Sequence, residues 1–347
     1  LRQDQLVVSL YQQLLDIDGT DEAARDALAA RFEKMRNWPQ LVTFYEQQIG
    51  GLDDESALAL RLKIADIYLS KMRNQVEAIQ AYEQVLETYH DNEDALTALE
   101  TLYEKRRSWD QYVDIRLRSA EAAGSDAEKV ERLRALAQYA EKKIRRPQLS
   151  LQLWQTVLDT DPADAVALES TVSLCEQTKD WQGLIDTVGQ MQGTDVPPKT
   201  LASCLAKAGS VALERMENPE LSLPFWSALA ELEPDNRRVI ENYKKALISL
   251  CMWDQLSDFL GSIGKWTDLV RVLESQSAQQ PDLITQVELL QRAAAVYEAE
   301  MEQPDKAART LERILLLDSN DLPSLRKLRD YYEQKGDQRK LANVLPS

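Results

Sequence analysis

Apolar residues recur along this chain at helical intervals. Between residues 60 and 121, Ile64, Ala65 and Tyr68 share one face of a helix. Ala78, Tyr82 and Val85 follow at i, i+4 and i+7 on a second helix, Leu96, Leu99 and Tyr103 mark a third, and Trp109 opens a fourth. The pattern predicts antiparallel pairs of helices of about 15 residues joined by short turns. Extended over the chain it gives about 19 or 20 helices and no strand.

A longer period runs through the pattern. Trp38, Trp109, Trp181 and Trp253 are separated by 71, 72 and 72 residues, and Tyr11, Tyr82, Trp154 and Trp226 repeat the same spacings. Pro147 and Pro219 share the period, as do Pro162 and Pro234. Independent series with one period signal stacked supersecondary units, each of which divides into two halves of about 36 residues. Stop and start signals agree. Asn74-Gln75, Arg146-Pro147, Asn218-Pro219 and Gln303-Pro304 precede predicted second helices, where proline suits the first turn. Gly50-Gly51, Gly124 and Gly193 fall at unit junctions.

These residues resemble the tetratricopeptide repeat family. The family hairpin places a small residue and then Tyr on its first helix, and Ala-x3-aromatic on its second, with Pro after it. Here Ala65 and Tyr68 are followed by Ala78 and Tyr82. Ser150, Trp154, Val157 and Pro162 form the next second-helix copy, Ser222, Trp226, Leu229 and Pro234 another, and Ala294, Tyr297, Ala307, Leu311 and Ile314 the last. The resemblance covers essentially the whole chain. It implies an all-α fold, a right-handed superhelical solenoid of antiparallel helix pairs, forming one array over residues 1–347.

Alternate hairpins depart from the family pattern. Leu41, Tyr112, Leu184, Leu256 and Leu341 stand where the second helix should carry a small residue. The expected unit is therefore a divergent double hairpin, one tight and one wide, with the Trp filling part of the gap at the turn. The period is interrupted once. Trp253-Asp254-Gln255-Leu256 recurs 13 residues later as Trp266-Thr267-Asp268-Leu269. The extra residues, near Ser257 to Lys265, are expected to form a helix end and a turn at Gly261-Ser262-Ile263-Gly264. The chain starts and stops inside second helices with no polar capping helix, the pattern of a fragment from a longer array.

Composition narrows the function. The net charge is -17, with 14 basic and 23 acidic side chains in residues 1–124 against 12 and 14 in residues 265–347. An acidic chain repels phosphate backbones, so nucleic acid is not an expected ligand, and a basic partner segment best matches the N-terminal half. No apolar run approaches the length of a membrane span. The cysteines Cys175, Cys204 and Cys251 are widely spaced and read as buried small hydrophobes without disulfide or zinc. That usage fits a reducing compartment, hence a cytoplasmic expectation, with a periplasmic site left open.

Catalytic chemistry has little to build on. The single histidine, His90, lies in the turn Tyr89-His90-Asp91-Asn92. Phosphate loops, nucleophile elbows and metal-ligand spacings do not occur. Carboxylate pairs such as Asp53-Asp54 and Glu93-Asp94 sit where helices begin and read as caps. The expectation is a non-enzyme without cofactor or metal. The family resemblance implies a protein-interaction scaffold that binds an extended peptide or helix in a concave groove lined by first helices. Helical spacing nominates Lys63, Asp66, Arg134, Gln138, Glu169 and Lys207 as facing that groove. Further along, Glu241, Asn242, Lys245, Arg292, Arg326 and Lys327 complete the set. The rival readings are an RNA-binding helical repeat and an all-helical enzyme.

Overall fold

The computed structural model describes residues 2–19, 21–191 and 193–344, with twenty α-helices and, among those residues, no strand. The chain divides into two compact units, residues 1–178 and 179–347. The first unit contains α1 (Arg2–Ile17), α2 (Glu22–Lys34), α3 (Trp38–Ile49), α4 (Asp54–Asp66), α5 (Gln75–Thr88), α6 (Glu93–Arg106), α7 (Trp109–Glu121), α8 (Asp126–Tyr139), α9 (Pro147–Thr160) and α10 (Ala165–Thr178). A π-helical turn extends α4 over Ile67–Lys71 and α8 over Ala140–Ile144. The second unit contains α11 (Trp181–Gln190), α12 (Pro198–Glu214), α13 (Pro219–Leu232), α14 (Arg237–Ser249), α15 (Trp253–Ser262), α16 (Trp266–Ser277), α17 (Leu283–Ala299), α18 (Pro304–Leu317), α19 (Leu322–Lys335) and α20 (Gln338–Val344). Within each unit every helix packs on its sequence neighbours.

The expected signals place the helix boundaries. Each Trp of the first series is the first residue of a helix, as are Trp266, Pro147, Pro219 and Pro304. Most first helices begin on side-chain caps that satisfy orphan backbone donors, α12 after Pro197 being the exception. Asp53 accepts from Ser56 N at 2.9 Å, Asn92 from Ala95 N at 2.9 Å and Asp164 from Ala167 N at 2.8 Å. Asn236 and Asp321 do the same for α14 and α19.

A left-handed residue stands in every first-to-second-helix turn among the described residues. Arg36, Arg107, Lys179 and Cys251 have φ of 53, 55, 59 and 54°, and Gly264 and Gly336 have 68 and 71°. Each stands two residues before a Trp or, for Gly336, before Gln338. The next amide folds back onto the helix: Asn37 N donates to Phe32 O at 2.9 Å, Ser108 N to Tyr103 O at 3.0 Å and Lys265 N to Leu260 O at 2.8 Å. This is the Schellman closure, which satisfies carbonyls that the helix end leaves open. In the hairpins headed by Gln75, Pro147, Pro219 and Pro304 the left-handed residues are Arg73, Arg145, Glu217 and Glu302.

The small–aromatic pairing sits in the core. Trp154 and Trp226 are fully buried and Tyr82 nearly so. Gly209 shows how close the helices come, because a Cβ there would lie 2.7 Å from Trp226 Cε2. In the alternate hairpins Leu41, Tyr112, Leu184 and Leu256 are buried where the family has small residues. Beside Tyr112, Trp109 fills space with its ring 6.1 Å away, and Tyr112 in turn lies 5.1 Å from Tyr139.

The irregular segment is one short extra helix, α15. It follows α14 and is closed onto α16 by the same left-handed turn, at Gly264, that elsewhere ends a first helix. Trp253 and Trp266 both pack on one cluster with Leu256, Leu260, Leu269 and Leu273. Two sequence expectations need correction. Gly261 and Ser262 belong to α15 rather than to the turn. The left-handed turn sits at Gly264, and Gly261 stays within the helix with the Trp266 ring over it, where a Cβ would lie 2.5 Å from the ring. Cys251 is exposed, unlike the buried Cys175 and Cys204, because it occupies the turn position that Arg36, Arg107 and Lys179 hold elsewhere.

Candidate partner-binding faces

The nominated residues all lie on first helices, and the helix that carries each also decides what it is free to do. Lys63 and Asp66 are exposed on α4, where Asp66 accepts from Ser70 Oγ at 3.2 Å. Gln138 is half-buried on α8, and Glu169 is exposed on α10. In the second unit Lys207 is half-buried on α12, Asn242 is half-buried and Lys245 exposed on α14, and Arg326 is exposed on α19.

Arg134, Arg292, Lys327 and Glu241 form ion pairs within the protein. Arg134 on α8 binds Asp164 through Nε at 2.9 Å and also through Nη2, and the Asp164 carboxylate is buried. Asp164 is also the cap of α10, so the guanidinium clamps one first helix to the start of the next. The second unit repeats this clamp with a neutral side chain. Gln291 Nε2 on α17 lies 3.1 Å from both carboxylate oxygens of Asp321, the cap of α19. Arg292 pairs with Asp254 on α15 and with Glu288 at 3.0 Å. Lys327 on α19 bonds Glu298 on α17 at 2.8 Å, and Glu241 pairs with Lys244 at 2.7 Å along α14. By contrast Lys63, Lys245 and Arg326 form no ion pair among the described residues. They are the nominated cations that a partner carboxylate reaches without first breaking an internal bond.

Sequence reasoning missed a set of bonds between neighbouring repeats. Tyr139 on α8 donates to Glu104 on α6 at 2.6 Å. Burial, and then the bond to Glu104, hold the Tyr139 hydroxyl well above the usual phenol range. Tyr103 donates to Glu83, and Tyr332 to Glu312, at an identical separation of 20 residues. Burial pushes Tyr332 up to about 12, with the Glu312 bond as the second cause. The signal that could have found these pairs is their fixed separation across copies.

Two concavities lie beside second helices. One of about 460 Å³ is lined by Gln12, Leu15, Phe32, Gln40, Phe44 and Gln47. Another, of about 510 Å³, is lined by Leu86, Glu87, His90, Asp91, Arg118 and Glu121. His90 itself is exposed, its Nδ1 2.8 Å from Leu86 O. Among the described residues no group of three His, Cys, Asp or Glu side chains is placed to hold a metal ion, and no helix is long and apolar enough to cross a membrane.

Comparison with known proteins adds the following. Residues 59–96, from α4 into α6, match the family described as tetratricopeptide repeat. No curated protein matches the chain. Among solved structures, the tetratricopeptide domain of P58(IPK) is 16% identical over 94% of this chain and 90% of its own, with a TM-score of 0.29. A chain in the structure of Naa15/Naa10 bound to HypK-THB is 14% identical over 97% of this chain and 59% of its own, with a TM-score of 0.35. YrrB, described as a TPR protein with an unusual peptide-binding site, is 14% identical over 58% of this chain and 96% of its own, at 0.29. Scores this low carry no argument beyond the likeness itself.

Proposed function

We propose that the chain, a protein of the tetratricopeptide repeat type, is a non-catalytic scaffold that holds a segment of a partner protein on its first-helix faces. The observation that carries this reading is the distribution of partners among the nominated residues. Arg134, Arg292, Lys327 and Glu241 are spent on internal ion pairs that hold the faces in shape. Lys63, Lys245 and Arg326 remain as exposed cations. Gln138 and Asn242 supply half-buried amides that can bond a peptide backbone in either direction. Cations and amides set on packed helices suit recognition of a polar main chain with intermittent carboxylates. The nearly balanced charge of residues 265–347 and the excess acid of residues 1–124 favour a partner that turns basic toward the first unit.

Photo-cross-linking tests the reading. A photoreactive side chain at Gln138 or Lys245 should capture a partner, and the same group at Gln152 or Glu231, exposed on second helices, should not. Equal capture from both sets would remove the first-helix faces as the binding surface.

A further inference from the structure

Consecutive helices run antiparallel through short turns, so α17 begins, α18 ends and α19 begins at one edge of the second unit. α18 packs on both neighbours, and the bond from Gln291 to Asp321 holds the start of α19 beside α17. Five large aliphatic side chains stand exposed along that edge: Leu283 and Ile284 on α17, Leu316 and Leu317 on α18, and Leu322 on α19. Ile284 is 78% and Leu316 86% exposed. In the other hairpins the same places are mostly charged. Aligned on Ala65, Ala137, Gly209 and Ala294, the place of Ile284 is held by Glu55, Ala127 and Lys199. Aligned on Tyr82, Trp154, Trp226 and Leu311, the place of Leu316 is held by Glu87, Asp159 and Glu231, and that of Leu322 by Glu93, Ala165 and Arg237. Glu87, Asp159, Lys199 and Glu231 are exposed although further helices precede and follow them in the array. Stacked neighbours therefore do not cover this edge, and aliphatic residues gathered on it mark an interaction surface.

The border of the strip states what fits it. Asp282 directly precedes Leu283, Asp318 follows Leu317 and Asp321 precedes Leu322. Their bonds are to backbone and amide donors: Thr285 N to Asp282 at 2.9 Å, Asn320 N to Asp318 at 2.9 Å, and Ser324 N and Gln291 to Asp321. None of the three forms an ion pair among the described residues. Arg313, one turn before Leu317, is turned to Glu274 at 3.5 Å. The strip is thus apolar at its centre and negative, without an internal counter-charge, at its border. A second copy docked strip to strip would set these acids against themselves, and an anionic lipid surface would be repelled by them. Aliphatic side chains with cations beside them satisfy both parts.

We propose that this edge docks a segment of a partner protein that carries aliphatic side chains flanked by Lys or Arg. The site lies apart from the first-helix faces and does not depend on them.

The test uses the full chain and a labelled amphipathic peptide built of Leu and Lys. Fluorescence anisotropy should show saturable binding. The double variant Ile284→Glu/Leu316→Glu installs what Glu55 and Glu231 are in other hairpins, at exposed places, so its thermal melt should stay in position. It adds two negative charges, which would tighten a purely electrostatic capture of the peptide; docking on the strip instead weakens binding by about tenfold or more. Asp282→Asn/Asp318→Asn keeps the capping oxygens and should weaken binding by roughly threefold while flattening its dependence on salt. Lys245→Ala should leave it unchanged. Absence of saturable binding, or equal or tighter binding by the double Glu variant, overturns the inference. Loss of binding with Lys245→Ala alone also overturns it, because it would place the peptide on the first-helix faces. So does a concentration-dependent dimer, or adsorption to phosphatidylcholine vesicles, that the double Glu variant abolishes, since either would assign the strip to a second copy or to lipid.

Discussion

Gly209 and Trp226 show how much of this protein depends on single atoms. The indole lies directly over the glycine, so Gly209→Ala forces a shift of helix or ring. The expected cost is about 1–3 kcal/mol in urea denaturation followed by circular dichroism. The double variant Gly209→Ala/Trp226→Tyr should recover part of the loss, since an Ala already faces Tyr82 across α4 and α5. Failure of the double variant to recover anything would mean that the indole, not the close approach, holds the pair. Arg134 poses a second test at this scale. Its removal leaves the buried Asp164 carboxylate with only its cap bond. Arg134→Ala should cost about 1–3 kcal/mol, discounted because the guanidinium is partly solvated. Arg134→Gln should cost clearly less, because Gln291 makes the equivalent bond to Asp321.

At the scale of the element, starts were easier to read than stops. Trp38, Trp109, Trp181, Trp253 and Trp266 each begin a helix, and the Asn, Asp and Pro signals beside the other starts stand where chemistry requires them. The left-handed turns were hidden because Arg, Lys, Cys and Glu do not announce a positive φ as glycine does. Only Gly264 and Gly336, aligned on the residue two places on, expose the position. The same argument applies to the candidate faces. Helical spacing put all twelve nominated residues on first helices, but spacing does not say whether Arg292 turns to solvent or to Asp254. That choice depends on the neighbouring helix. Two tests belong here. Arg107→Gly relieves a side chain held at φ 55° and should stabilise the chain by about 1 kcal/mol, read as a higher urea midpoint. The caps respond to acid. The backbone bond from Ser56 holds Asp53 below its ordinary range, and the side-chain bond from Thr285 does so for Asp282. A depressed folded-state pKa stabilises above the unfolded value and is lost as pH falls through the folded one. The starts of α4 and α17 should therefore fray below about pH 4. Asp53→Asn should remove that pH dependence from amide exchange at Ser56 while leaving it at Thr285.

For the whole molecule the question is whether 347 residues unfold as one. A chain whose helices pack on sequence neighbours has stability that adds locally, so the two compact units need not open together. The cysteines are placed to report this. Cys251 is exposed and should react with a thiol reagent in the native state. Cys175 on α10 and Cys204 on α12 are buried in different units and should react only as their own surroundings open. All three should label in denaturant without reductant, since no disulfide is expected. Gly209 shares α12 with Cys204, so Gly209→Ala should shift labelling of Cys204 to lower urea and leave the Cys175 midpoint in place. Mass spectrometry of the labelled peptides reads both sites in one sample. If both midpoints move together by equal amounts, the chain is one cooperative body and the nearest-neighbour account fails. If only Cys204 moves, damage to one repeat stays local, and a scaffold of this kind can lose one binding face while the other stays folded.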